Sequence, residues 1–178
     1  IYVAIIGWIL FGESLTRKGI IGTCLALSGI VILFWGDLIQ DPGNFDGNVL
    51  AFISGILAGL YILGGRKLRK EISLPTYALV VYLSSAITMW VVVIVQDLEY
   101  RNIPNSDFQI FFLMALVPTL LGHTMQNWAL AFLPAYVVSI ALLTEPVGSG
   151  ILAWYFFEEV PSLGVFIGGL IVLFGVYM

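Results

Sequence analysis

Glu145-Pro146 falls in the middle of an apolar run at 136–157. A carboxylate at that depth in hydrocarbon costs several kcal/mol, so it marks either a solute or proton path or a hydrogen-bonded structural group. Pro146 has no N–H, which leaves the carbonyl of Leu142 without its usual helical donor and bends the helix. A freed carbonyl beside a carboxylate suits an ammonium group or a proton. The alternative is a structural Glu bonded to a neighbouring helix at the bend.

A second set of polar groups lies in the apolar run 109–131. Thr119, His123 and Asn127 recur every four residues and Gln126 adjoins them, so on an α-helix the four make one polar stripe. Such a stripe faces a bundle interior or a watery cavity rather than lipid. Imidazole is the side-chain type that exchanges protons near neutral pH, so His123 is a candidate for the solute or proton path. An interhelical hydrogen bond is the plainer role. Tyr61 and Tyr82 are further candidates, although membrane aromatics more often pack or sit at interfaces.

Other chemistry is poorly supported. The chain has one histidine, which excludes a multi-histidine metal centre, and no metal or other cofactor is expected. It lacks the G-x-S-x-G and H-E-x-x-H patterns and paired membrane aspartates, so an intramembrane enzyme is disfavoured. A single cysteine, Cys24, excludes an intrachain disulfide. No basic patch with interleaved aromatics suits nucleic acid.

The elements that must position these groups are membrane helices. Of 178 residues, 60% are hydrophobic and 10% charged, against about 25% charged in a soluble domain. Apolar runs at 19–36, 48–65, 76–96, 109–131, 136–157 and 163–178 read as six spans, the last one short. Residues 1–12 read as part of another, as if an N-terminal portion were missing. The fold class is therefore all-α, a polytopic bundle with about six and a half spans in this chain.

Charge orients the spans. Arg17 and Lys18, then Arg66, Lys67, Arg69 and Lys70, lie on one side of the alternation. The other side carries Asp37, Asp41 and Asp46, then Asp97, Glu99, Arg101 and Asp107, then Glu158 and Glu159. The positive-inside rule makes the basic side cytoplasmic, and with it the C-terminus.

The chain also repeats itself in inverted sense. Residues 8–29 return diluted at 154–175, with Trp8/Trp154, Phe11/Phe157, Glu13/Glu159, Ile21/Ile167, Gly22/Gly168, Leu27/Leu173 and Gly29/Gly175 identical. The pair Arg17-Lys18 becomes Leu163-Gly164, as an element turned to the other side of the membrane requires. Five spans separate the copies, so residues 1–40 read as the end of a first five-helix repeat and 45–178 as a second. Ten spans are then expected in the full protein.

Glycines carry the packing. Gly22, Gly29, Gly168 and Gly175 suit close helix contact in the repeated helices. Gly47, Ala51, Gly55 and Gly59 make a small-residue face on the next one. Thr16 and Ser162, also 146 apart, suit helix N-caps. Such faces serve packing within the chain or a homodimer, so monomer and dimer both stay open.

The stretch 116–175 holds Asn127-Trp128-Ala129-Leu130 at one helix end, Glu145-Pro146 in the next helix, and Glu159 ahead of Gly168-x6-Gly175. It resembles the C-terminal part of an EamA-type repeat of the drug/metabolite transporter superfamily, and the stretch 12–32 resembles the end of a preceding repeat. That resemblance implies a ten-helix carrier in the inner membrane of a prokaryote. It would export small metabolites, amino acids or drug-like solutes by alternating access, with protons as a possible coupling ion. The partners implied are a small-molecule solute and the lipid bilayer. A structural or sensory membrane protein, or a channel, are the alternatives.

Overall fold

The computed structural model describes residues 2–13, 16–40, 45–100 and 103–178. Asp41 and Arg101, and the side chains of Asp37 and Asp46, lie outside what is described, as does the boundary expected between the two repeats. In lipid backbone amides must find their partners within the protein, and the apolar runs are almost entirely helical. The helices are α1 (Tyr2–Phe11), α2 (Arg17–Gln40), α3 (Phe45–Leu68), α4 (Leu74–Val95), α5 (Asn105–Met114), α6 (Thr124–Ala129), α7 (Ala135–Ala141), α8 (Glu145–Phe157) and α9 (Leu163–Tyr177). A wide π-helical stretch, Ala115–His123, joins α5 to α6, and a 3-10 turn, Leu142–Thr144, joins α7 to α8.

Five segments among the described residues are long and apolar enough to cross a membrane: Arg17–Trp35, Val49–Leu68, Leu74–Val95, Asn105–Ala129 and Ala135–Phe157. The sixth expected span is shorter. Helix α9 has 15 residues, which at 1.5 Å per residue reach about 22 Å.

Hydroxyls start the helices where the sequence places them. Thr16 Oγ1 accepts from the Gly19 N–H at 3.0 Å, and Ser162 Oγ from the Val165 N–H at 3.3 Å. Gly12 after α1 and Glu158 after α8 are also 146 residues apart, and both are left-handed, with φ of 66° and 58°. Glycine takes that conformation without strain; Glu158 does not.

The described chain forms two compact units, Ile1–Leu63 with Pro134–Met178, and Gly64–Leu133. The core of the first is the antiparallel pair α2 and α9. Gly22 meets Gly175 and Gly29 meets Gly168, with Ala26 and Val172 fully buried. The backbones touch. A Cβ on Gly29 would lie 2.7 Å from the Gly168 carbonyl oxygen, and one on Gly175 2.5 Å from the Ala26 nitrogen. Each contact joins one glycine of α2 to the 146-offset copy of the other, the exchange that a twofold axis across the pair produces.

Helix α1 packs in the same unit. The Tyr2 hydroxyl donates to the carbonyls of Gly55 and Ile56 on α3, and the Tyr2 ring occupies the space a Cβ on Gly59 would need. Among the described residues a Cβ on Gly47 or Gly55 would meet nothing within 4 Å. Spacing of four marks a smooth face but does not determine whether a neighbour comes to it.

In the second unit the end of α3 lies against the end of α6. Gly65 permits the approach, since a Cβ there would be 2.7 Å from Leu130 Cδ1. Arg66 and Arg69, both buried, turn inward at this point.

Candidate functional site: the polar groups at membrane depth

Glu145 begins α8, near the midpoint of the 23-residue segment Ala135–Phe157. Its side chain is exposed on the first unit. The helix is broken there as Pro146 requires, but the expected free carbonyl is absent. In the 3-10 turn the Leu142 carbonyl accepts from the N–H of Glu145 itself. The tighter i to i+3 bond replaces the i+4 donor that proline removes. Glu145 therefore offers a carboxylate at a helix break, without a vacant carbonyl beside it.

The expected stripe on the other run is divided. Pro118 removes the donor that the Met114 carbonyl would have had from it, and Thr119 Oγ1 takes that carbonyl at 3.1 Å. The helix widens into the stretch Ala115–His123, where neighbours along the axis are five residues apart rather than four. Thr119 accordingly shares a partner with Thr124 and not with His123. The Tyr82 hydroxyl on α4 donates to the Thr119 carbonyl at 3.1 Å and pairs with Thr124 Oγ1 at 2.8 Å. Thr124 had no place in the sequence reading, which assumed α-helical spacing.

His123 is exposed, and its Nδ1 lies 3.3 Å from Gln126 Oε1. Asn127 is fully buried, and its backbone carbonyl accepts from Arg69 Nε at 3.0 Å. Four residues that a straight α-helix would align thus fall into three places: Thr119 with Tyr82 and Thr124, His123 with Gln126, and Asn127 beside Arg69. Tyr61 is half-buried on α3 within the first unit.

The arginines are a second omission of the sequence reading, which used them only as markers of sidedness. Arg66 Nη1 donates to the carbonyls of Leu130, at 3.0 Å, and Ala131, at 3.3 Å, while Arg69 Nη1 donates to the Ile72 carbonyl. They satisfy carbonyls at the end of α6, which no intrahelical N–H can reach.

In the first unit Glu13 Oε2 accepts from the Ala135 N–H at 2.9 Å and so caps the start of α7. The same unit holds a cleft of about 620 Å3 between α8 and α9, lined by Val147, Ile151, Trp154, Phe166 and Leu170 among others. Glu145 is not in its lining. No group of three or more metal-binding side chains occurs among the described residues.

Residues 46–178, about three quarters of the chain, match the model of the EamA-like transporter family. The chain belongs to that family. No curated protein and no solved structure gives a match. This EamA-like protein is thus a multi-pass membrane transporter of small solutes. Family members are transporters rather than enzymes.

Proposed function

We infer that this EamA-like protein is a secondary active transporter that exports small metabolites, amino acids or drug-like solutes across the cytoplasmic membrane of a prokaryote by alternating access. The observation that carries the reading is Glu145: an ionisable group exposed at mid-span, on a helix interrupted by a 3-10 turn. Interrupted helices presenting charged or polar groups near the midplane are how secondary carriers build solute and ion sites. His123 with Gln126 is a further candidate polar group, in the other unit.

Residues 1–40 are read as the end of one repeat and 45–178 as the second, inverted relative to it, with the C-terminus cytoplasmic. The supporting feature is the exchange of offset-related glycines between α2 and α9. Protons are the coupling ion in this reading, carried by Glu145.

The test uses the full-length protein in proteoliposomes that enclose a pH-sensitive dye. Amino acids, small metabolites and cationic drugs are added one at a time, to the parent and to Glu145→Gln. A solute-dependent pH change, abolished in a variant that still elutes as folded protein, is the expected result. A pH change of equal size in the variant removes Glu145 from the path. Labelled-solute flux without any pH change would discard proton coupling and keep the carrier.

A further inference from the structure

The polar contacts around the wide stretch Ala115–His123 assign Tyr82 a different role from the one its residue type suggests. Its hydroxyl is engaged at both ends of one wide turn, on the Thr119 carbonyl (3.1 Å) and on Thr124 Oγ1 (2.8 Å), residues five apart. The N–H of Thr124 turns to the Leu121 carbonyl, so α-helical bonding resumes only beyond this point. Pro118 explains why the helix departs from α geometry, because it removes one donor. It does not explain why the departure runs over nine residues. Stretches of this kind are rare and usually a single turn, so something outside the helix must favour this one. Among the described residues the side chain from another helix bonded within it is Tyr82.

The geometry points to Tyr82 and Thr124 as positioning residues that hold the wide turn and thereby set the register of His123 and Gln126. A regular α turn needs one residue fewer. Taking one residue out of the turn rotates what lies on one side of it by roughly 100° about the axis. Beyond the turn, α6 is held at its far end by Arg69 on the Asn127 carbonyl and by Arg66 on Leu130. His123 lies inside the wide turn, between Thr119 and Thr124, and the hydroxyl pair decides which face it presents. Tyr82 is thus occupied by the protein itself, not by solute. The inference rests on the reading of His123 as part of the solute path for its purpose, but its geometry can be measured without transport.

The measurement uses full-length protein carrying Cys24→Ser, with cysteines introduced one at a time at 120, 121, 122, 123, 125, 126 and 127. Reaction rates with a small maleimide are followed in detergent micelles. In the parent the maximum is expected at 123, with 127 silent. In Tyr82→Phe, and again in Thr124→Val, the maximum moves one position away from 123 while 127 stays silent; Thr124→Ser returns it to 123. A maximum that stays at 123 in both variants overturns the assignment. Uniform labelling that includes 127 in both also overturns it, since it shows a helix lost rather than a register changed. Labelled-solute flux in the same variants keeps the two readings apart: a moved maximum with unaltered flux leaves the positioning role standing and takes His123 off the path.

Discussion

Arg66 and Arg69 show how much a charged residue's role depends on what folds against it. In sequence they are two of four basic residues in a loop that the positive-inside rule assigns to the cytoplasm. In the structure both are buried and donate to carbonyls at the end of α6. Hydrogen bonds to a charged donor contribute about 1.5–3 kcal/mol, and the carbonyls lose their partners when the guanidinium goes. Arg69→Met is therefore expected to cost about 2 kcal/mol, read as a lower midpoint of thermal unfolding in detergent. An unchanged midpoint would mean that water or lipid headgroups satisfy those carbonyls equally well. Glu13 is the acidic counterpart. Because its carboxylate caps α7 at Ala135, Glu13→Ala is expected to cost about 1 kcal/mol in the same assay. Glu13→Gln should cost less, since its amide oxygen still accepts.

At the scale of elements, the α2–α9 seam and the face of α3 carry similar glycine spacing and different consequences. Gly29 leaves no room for a methyl group, whereas the space at Gly55 is open. Gly29→Ala must force two backbones apart and is expected to cost about 1–3 kcal/mol. Gly55→Ala should cost nothing, and alanine's better helix propensity allows a gain of up to about 1 kcal/mol. Unfolding midpoints of the two variants, measured side by side, check the contrast; equal losses would show that α3 has a close neighbour at Gly55 after all. The wide stretch Ala115–His123 teaches a related lesson. Periodicity assigns Thr119, His123 and Asn127 to one face only while the turn holds 3.6 residues. Pro118 and Thr119 were visible as residues, but the bonds of Tyr82 to the Thr119 carbonyl and Thr124 Oγ1 come from another helix.

At the scale of the molecule, sidedness is the property to test. With the basic loop inside, a cysteine at Lys70 should react with an impermeant maleimide only after the cells are opened, and cysteines at Asp107 and Glu158 in intact cells. The reverse pattern would invert the topology and place the C-terminus outside. Membrane character, the apolar segments and their caps at Thr16 and Ser162 were legible in the sequence. They follow from local rules: backbone groups in hydrocarbon must bond within the helix, hydroxyls satisfy the first free N–H groups, and cations stay on the cytoplasmic side. Only the tertiary structure decided which glycines touch, where Arg66, Arg69 and Glu13 find their partners, and how the polar stripe divides. Each of those depends on two segments far apart in the chain meeting within a few ångströms, and residue spacing along one helix carries no information about the surface that arrives from another.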